Sequence, residues 1–279
     1  MIVDFHTHIF SPTIQEKHDA FLQQDTCFRL LYGHQNAKLA TATDIIASMD
    51  EHHIDVSVIL NLGWTSHELC VMTNDYILES IAHYPNRLIG FCAIQPIAGD
   101  NALQEIERCA ASGARGIGEI RPDIQGFTLS DATIMRPVAQ MLIKRNMMLL
   151  THASEPVGHH YDGKGSITPD TIYPFIVDFP ELRIICAHWG GGLPFYALMP
   201  EVSAALKNVY FDTAATPFLY KPAIFKHVAD IIGSDHILFG SDYPLMPPKR
   251  VLDQLTASGL NQEARDKICG ENAQRLLSL

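Results

Sequence analysis

Short apolar runs and longer segments with helical spacing alternate along the whole chain, and eight such pairs can be counted. Each run is almost continuously apolar, which is typical of parallel strands covered on both faces, because a half-exposed strand alternates apolar and polar residues. The fourth run is the weakest, since Arg115, two glycines and Glu119 interrupt it. The predicted strands are Ile2–Phe5, Val56–Asn61, Leu88–Ile94, Ala114–Ile120, Met147–His152, Arg183–His188, Val209–Asp212 and Ile237–Gly240.

Helix signals occur between these runs. Thr41 and Asp44 have the spacing of a capped helix start, and Asp100 is expected to cap another helix. Proline kinks a helix interior, so we expect the helix that contains Pro137 to begin near Met135. Repeated strand–helix units indicate a parallel sheet with helices outside it.

Closing this sheet removes both of its edges, so the pattern predicts an α/β protein, a (β/α)₈ or TIM barrel that forms a single domain over residues 1–279. Residues 10–40 do not fit the repeat. They are too long and too polar for an ordinary strand–helix loop, and we expect them to lie over the mouth of the barrel. The segment Ser154–Thr168 is a second long connection, expected at the same face.

Composition and charge narrow the classes of partner. The net charge of −11 argues against a nucleic-acid or anionic-membrane surface, because both need a positive field. No apolar run reaches the roughly 18 to 20 residues of a membrane span, and no basic region precedes an apolar stretch near Met1, so the cytoplasm is the expected compartment. Six cysteines without a CxxC pair are expected to be buried small hydrophobes. The expected partner is a small-molecule substrate, and a homo-oligomer stays open.

Histidines and carboxylates stand where the predicted strands end. The first strand continues as Asp4-Phe5-His6-Thr7-His8, and strand side chains alternate faces, so His6 and His8 project into the same space. Two imidazoles on one face can bind a metal ion, although two polar residues leaving a strand are the simpler explanation of the pair alone. The other strand ends favour the metal, because barrel active sites form where all of these ends converge. They contribute Glu119, His152, His188 and Asp242.

This ordered set resembles the amidohydrolase superfamily, and most closely its amidohydrolase-2 branch of barrel hydrolases and ACMSD-like decarboxylases. The matching segments are Asp4–His8, Thr151-His152, Ala187–Gly191, Gly240–Pro244 and the closing Lys267–Leu276. The resemblance implies that His6, His8, His152 and Asp242 bind metal. It implies that His188 either binds a second metal or acts on the substrate.

The resemblance is less uniform at the fourth strand. Where some branches have a carbamylated lysine, this chain has Glu119, in a context similar to the bridging glutamate of TatD-type deoxyribonucleases. The rest of the chain follows the other branch. With a bridging Glu119, the number of divalent ions, one or two, stays open.

The ligand types suit Zn²⁺, with Mn²⁺, Fe²⁺ or Ni²⁺ as replacements. Zinc lowers the pKa of bound water to about 7. Asp242 is expected to accept and return the water's proton, and His188 to polarise a carbonyl or stabilise an oxyanion. The leading prediction is hydrolysis of a small amide, ester or lactone bond. The alternative is non-oxidative decarboxylation of an aromatic or unsaturated carboxylic acid, with Asp242 or His188 managing the proton. The third hypothesis is a barrel that binds a ligand without converting it.

Four further residues are candidates for substrate contact. Arg121 and Trp189 follow ligand positions and suit an anionic or aromatic substrate, while Glu155 and His159 lie in the long loop after strand five. The competing interpretations are a buried ion pair between Arg121 and Glu119, and a solvated loop that only covers a helix. The run Gly190–Gly192 lacks the residues of a phosphate loop and is expected to form a turn beside the metal.

Overall fold

Eight parallel strands form a nearly closed barrel in the computed structural model, which covers residues 1–279. Every strand pairs with its sequence neighbour, in the order β1 to β8, so the predicted single-domain TIM barrel is confirmed. The strands are β1 Val3–His8, β2 Val56–Leu60, β3 Leu88–Cys92, β4 Gly116–Ile120, β5 Met148–Thr151, β6 Ile184–Cys186, β7 Val209–Asp212 and β8 Ile237–Leu238.

The barrel closes between β1 and the segment that follows β8. The amide of Phe5 donates to the carbonyl of Phe239 at 2.7 Å, and the amide of Asp242 donates to the carbonyl of His6 at 2.9 Å. The amide of His8 donates to the carbonyl of Tyr243 at 2.7 Å. This closing seam places His6, His8 and Asp242 side by side.

Helices surround the barrel, and each strand is followed by at least one. No helix combines the length and the apolar character that crossing a membrane requires. The α-helices on the outer layer are Ala42–His52, His67–His83, Asp100–Ala111, Ala132–Lys144, Pro169–Asp178, Pro200–Ala205, Ala223–Ile232 and Pro248–Thr256, and shorter α-helical segments are Pro122–Gln125, Ala187–Gly190, Thr216–Leu219, Gln262–Asp266 and Asn272–Leu277. Short segments of 3₁₀ or π-helix are Pro96–Ala98, Leu193–Leu198, Leu206–Asn208, Ser234–His236 and Lys267–Glu271.

Helix starts were predicted with mixed success. At Thr41 the hydroxyl accepts the amide of Asp44, and the Asp44 carboxylate accepts the amide of Thr41, which is the expected capping box. The start near Met135 is wrong, because Asp131 caps a helix that begins at Ala132. Pro137 then lies only one and a half turns into this helix and costs it one backbone hydrogen bond. Asp100 makes no side-chain cap.

Residues 10–40, which do not fit the strand–helix repeat, fold into three short helices, Pro12–Glu16, His18–Gln24 and Thr26–Tyr32. Their buried side chains form an aromatic cluster in which Phe28 stacks on Trp64, with ring centroids 5.5 Å apart. Polar residues between these anchors disguise the helical pattern. The expected position over the mouth is confirmed, since Leu31 and Tyr32 line the cavity there.

The hydrophobic core has an inner and an outer part. The inner cluster comes mainly from the strands and includes Phe5, Phe91 and Leu150, with the Phe5 and Phe91 rings edge to face at 5.7 Å. The outer cluster joins strands to helices. All six cysteines are free, and all except Cys269 are fully buried, as the composition predicted.

Candidate active site

Three predicted ligands converge at the closing seam. The Nε2 atoms of His6 and His8 are 3.1 Å apart. The Oδ1 atom of Asp242 is 3.4 Å from Nε2 of His8 and 3.7 Å from Nε2 of His6. Donors that each lie about 2.0–2.2 Å from one ion are separated from one another by roughly 3–3.5 Å. The three side chains therefore fit around a single divalent cation.

Asp212 holds His6 in the orientation that this site needs. The Nδ1–H of His6 donates to Oδ2 of Asp212 at 2.8 Å, which leaves the Nε2 lone pair facing the other donors. The second oxygen of Asp212 accepts the amides of His188 and Ala214, at 2.9 and 3.0 Å. We did not predict this role, although an acidic residue at the end of the seventh apolar run was a usable signal.

Glu119, His152 and His188 form a second group of donors. Oε1 of Glu119 accepts from Nδ1 of His152 at 2.8 Å and lies 3.5 Å from Nε2 of His188. Its other oxygen, Oε2, lies 3.9 Å from Nε2 of both His6 and His8. Glu119 thus stands between the two groups, and the arrangement suits either one ion or two. The alternative ion pair between Glu119 and Arg121 is not found.

The charges at the site favour a cation. Burial lowers the pKa of His6, but Asp212, Asp242 and Glu119 together raise it to about 10, so these carboxylates attract positive charge to this point, and a bound ion would take the place of the proton. Burial raises the pKa of Asp242, but hydrogen bonding to His8 and the charges of the other histidines lower it to about 2. Carboxylates that stay ionised in a buried site need a compensating positive charge. Together with the imidazole and carboxylate donors, this charge balance fits a divalent ion.

A left-handed turn after β6 directs the side chains of His188 and Trp189 to different places. Both residues have positive φ, 54° and 59°, which is unusual for side chains with a Cβ and is concentrated at functional sites. Nδ1–H of His188 donates to the carbonyl of Ala214 at 3.2 Å, so Nε2 is left for the site. Trp189 is fully buried in the core, where Nε1–H donates to the hydroxyl of Thr216 at 2.8 Å. It does not line the cavity, so its position does not support the expected substrate contact.

Gly191 makes this turn possible. Its φ is +59°, and a Cβ there would lie 2.2 Å from the backbone oxygen of Ser154. We expect Gly191→Ala to lower the free energy of unfolding by about 3 kcal/mol, through a strained φ and a backbone clash. The matched control is Gly259→Ala, where φ is +79° but nothing lies within 4 Å. Denaturant unfolding should show a loss of only about 1 kcal/mol there, and equal losses would contradict the clash.

The two groups of candidate ligands open onto a cavity of about 530 Å³. Its volume lies in the range of small-molecule sites, and Phe218, Leu219 and Leu245 form an apolar wall. His159 lines the cavity. Glu155 does not, but its carboxylate accepts a hydrogen bond of 3.2 Å from Tyr161, which does.

Arg121 also lines the cavity and is 1% exposed. Its nearest carboxylate is that of Asp123, with 3.4 Å between Nη2 and Oδ2. Burial and the Arg121 cation lower the pKa of His152 to about 4, which keeps this imidazole neutral. Neutral imidazole is the form that binds metal.

Comparison with known proteins matches residues 3–279 to the family model described as Amidohydrolase. The chain is 28% identical over 215 residues to 6-methylsalicylic acid decarboxylase of Penicillium expansum, covering 64% of this chain and 65% of that protein. It therefore spans just under two thirds of that relative's length. It is 23% identical over 287 residues to gamma-resorcylate decarboxylase of a Polaromonas species, covering 83% of this chain and 85% of that protein.

A solved structure has the same fold. It is 5-carboxyvanillate decarboxylase of Novosphingobium aromaticivorans, in complex with manganese and 4-hydroxy-3-methoxy-5-nitrobenzoic acid. The TM-score is 0.81 at 18% identity, and the match covers 100% of this chain and 96% of the other.

These relatives correct our leading prediction. Hydrolysis of an amide, ester or lactone bond is wrong as the first choice, because both of these relatives are decarboxylases, and decarboxylation was the alternative. A buried carboxylate among histidines, such as Glu119, does not determine which bond breaks. The two groups of imidazole and carboxylate donors suit several divalent ions and do not single out zinc.

Proposed function

Because the chain belongs to the amidohydrolase family, we propose that it is a metal-dependent decarboxylase. Its reaction is the non-oxidative release of CO₂ from an aromatic or unsaturated carboxylic acid. The observation that carries the proposal is the His6, His8 and Asp242 ligand set at the end of a cavity with an apolar wall. Decarboxylases among its relatives support it. We retain the cytoplasm as the expected compartment.

The ion would be held by His6, His8 and Asp242, with Glu119 and His152 completing the donor set. Mn²⁺ and Zn²⁺ both suit these imidazole and carboxylate donors. When bound, such an ion supplies positive charge that attracts substrate oxygens and withdraws electron density from the conjugated system.

The reaction needs a proton at the carbon that loses its carboxylate. His188 is the proposed donor, because Nδ1–H is held by the Ala214 carbonyl and Nε2 lies 3.5 Å from Oε1 of Glu119. Burial lowers the pKa of His188, whereas the neighbouring carboxylates of Glu119 and Asp242 raise it. In this proposal His188 acts as the donor in its imidazolium form. Nε2 gives its proton to that carbon, the carbon–carboxylate bond breaks, and its electron pair restores the conjugated system as CO₂ leaves.

Asp242 and the apolar wall contribute to the reaction in different ways. With a pKa near 2, the Asp242 carboxylate stays ionised and suits a ligand better than a proton donor. Phe218, Leu219 and Leu245 offer a surface to a ring or a conjugated chain. An ionised carboxylate is poorly solvated beside such a surface, which favours its conversion to neutral CO₂.

A substrate panel tests the proposal. Protein loaded with Mn²⁺ or Zn²⁺ is incubated with 6-methylsalicylate, 2,6-dihydroxybenzoate and 5-carboxyvanillate, and with amides and lactones of similar size. We expect CO₂ in equal amount to the decarboxylated product from at least one acid. Removing the metal with a chelator should lower this rate by at least ~100-fold, and adding Mn²⁺ or Zn²⁺ should restore it. Hydrolysis of the amides or lactones without CO₂, or full activity after chelation, would refute the proposal.

A further inference from the structure

The guanidinium of Arg121 is buried with most of its hydrogen-bonding capacity unused. The residue is 1% exposed, and neither Nε nor Nη1 has an acceptor. Only Nη2 approaches a carboxylate, and its 3.4 Å from Oδ2 of Asp123 is long for a charge-assisted hydrogen bond. A structural ion pair between arginine and a carboxylate is commonly bidentate and shorter. Asp123 therefore leaves this buried cation largely uncompensated.

The surroundings of Arg121 keep the guanidinium in place. The backbone amide of Arg121 donates to Oε1 of Gln125 at 2.9 Å. The side-chain Nε2 of Gln125 in turn donates to the carbonyls of Trp64 and Ile94. Gly63 and Gly165 allow close packing on two sides. A Cβ on Gly63 would lie 2.8 Å from Cβ of Arg121, and one on Gly165 would lie 2.7 Å from Nη2. Arg121, a lining residue of the cavity, is thus held in place while Nε and Nη1 lack acceptors.

We propose that Arg121 binds a second carboxylate of the substrate, which is retained in the product. This proposal rests on the proposed decarboxylation, and it makes dicarboxylic acids the preferred substrates. Arg121 lines the same cavity as His8, Glu119 and Asp242, so one molecule can lie against both the proposed metal ligands and Arg121. Its planar donors match a carboxylate.

The reacting carboxylate is the weaker partner for Arg121. That group loses its charge as CO₂ forms, so a cation bound to it stabilises the starting state more than the transition state and slows the reaction. A carboxylate that keeps its charge is stabilised equally in both, and its binding lowers KM. Arg121 therefore determines which substrate binds and does not take part in the chemical step.

The test compares 2-hydroxybenzoate with 2-hydroxybenzoates that carry a second carboxylate at each remaining ring position. For the best diacid, wild-type kcat/KM should exceed that for the monoacid by ~100-fold, mainly through KM. Arg121→Met should reduce this ratio to within ~3-fold, and Arg121→Lys should retain part of it because the charge remains. The control is Lys38→Met, which removes an exposed cation from the rim of the same cavity and should change the ratio by less than ~3-fold.

Binding of unreactive acids separates this inference from the proposed function. Calorimetry with isophthalate and benzoate needs no turnover, and wild-type protein should bind isophthalate ~100-fold more tightly, with Arg121→Met removing that preference. If CO₂ release fails but this preference is present, the assigned reaction is wrong and anion recognition by Arg121 stands. Equal wild-type affinities overturn the inference without relying on any variant, and so do equal losses for monoacid and diacid in Arg121→Met.

Discussion

Asp242→Asn is expected to lower kcat/KM by ~1000-fold, equivalent to about 4 kcal/mol of transition-state stabilisation. The amide has nearly the same shape but no charge, so it removes a ligand beside His8 and His6, at 3.4 and 3.7 Å, without opening a cavity. Metal analysis should show that the purified variant holds substantially less than the wild-type amount. The melting temperature of the metal-free protein should change by only a few degrees, since one of several buried carboxylates is neutralised.

The control for this variant is Asp253→Asn, which makes the same change at an exposed carboxylate paired with Lys249. A surface pair of this kind contributes little, so activity and metal content should match the wild type. Wild-type turnover in Asp242→Asn would show that the seam does not hold the catalytic metal.

His188→Gln is expected to lower kcat by ~1000-fold while leaving the bound metal in place. Glutamine keeps a hydrogen-bonding side chain but cannot deliver a proton from Nε2, whereas the His6, His8 and Asp242 ligands are untouched. Measuring kcat and metal stoichiometry in the same preparation separates this effect from that of Asp242→Asn. The exposed His227, on the helix Ala223–Ile232, provides the matched His227→Gln control.

Two results would change the assignment of His188. Loss of metal together with activity would make His188 a ligand, which the sequence left as an equal alternative. An unchanged kcat would show that a group other than His188 donates the proton.

The barrel and most metal-binding candidates were predictable from local patterns. Strand periodicity alone places His6 and His8 together, and the convergence of strand ends in a barrel brings Glu119, His152, His188 and Asp242 to the same place. These inferences work because parallel strands fix direction and spacing over long distances in sequence.

Backbone irregularities were not predictable in the same way. The register of β1 against β2 shifts between Asp4 and Thr7, and that of β4 against β5 shifts between Ile117 and Ile120. Such bulges redirect side chains next to active sites. They allow the strands to serve both the core, through Phe5, and the site.

Trp189 and the reaction type show two further limits. Sequence adjacency to His188 suggested a shared cavity, but positive φ at both positions turns the indole into the core. The choice between hydrolysis and decarboxylation depends on how a substrate lies against the ligands, and the identities of the ligands do not encode that.

The closing seam has a consequence for the order of events in biosynthesis. Asp4 and Ser241, joined by a hydrogen bond of 2.9 Å, are 237 residues apart, and the proposed ligands His6, His8 and Asp242 have nearly the same separation. A nascent polypeptide therefore has no complete site until its eighth strand has left the ribosome. Binding of the proposed ion would then follow synthesis of the eighth strand. It would fasten the first strand to the last across a long loop, whose closure has a high entropic cost.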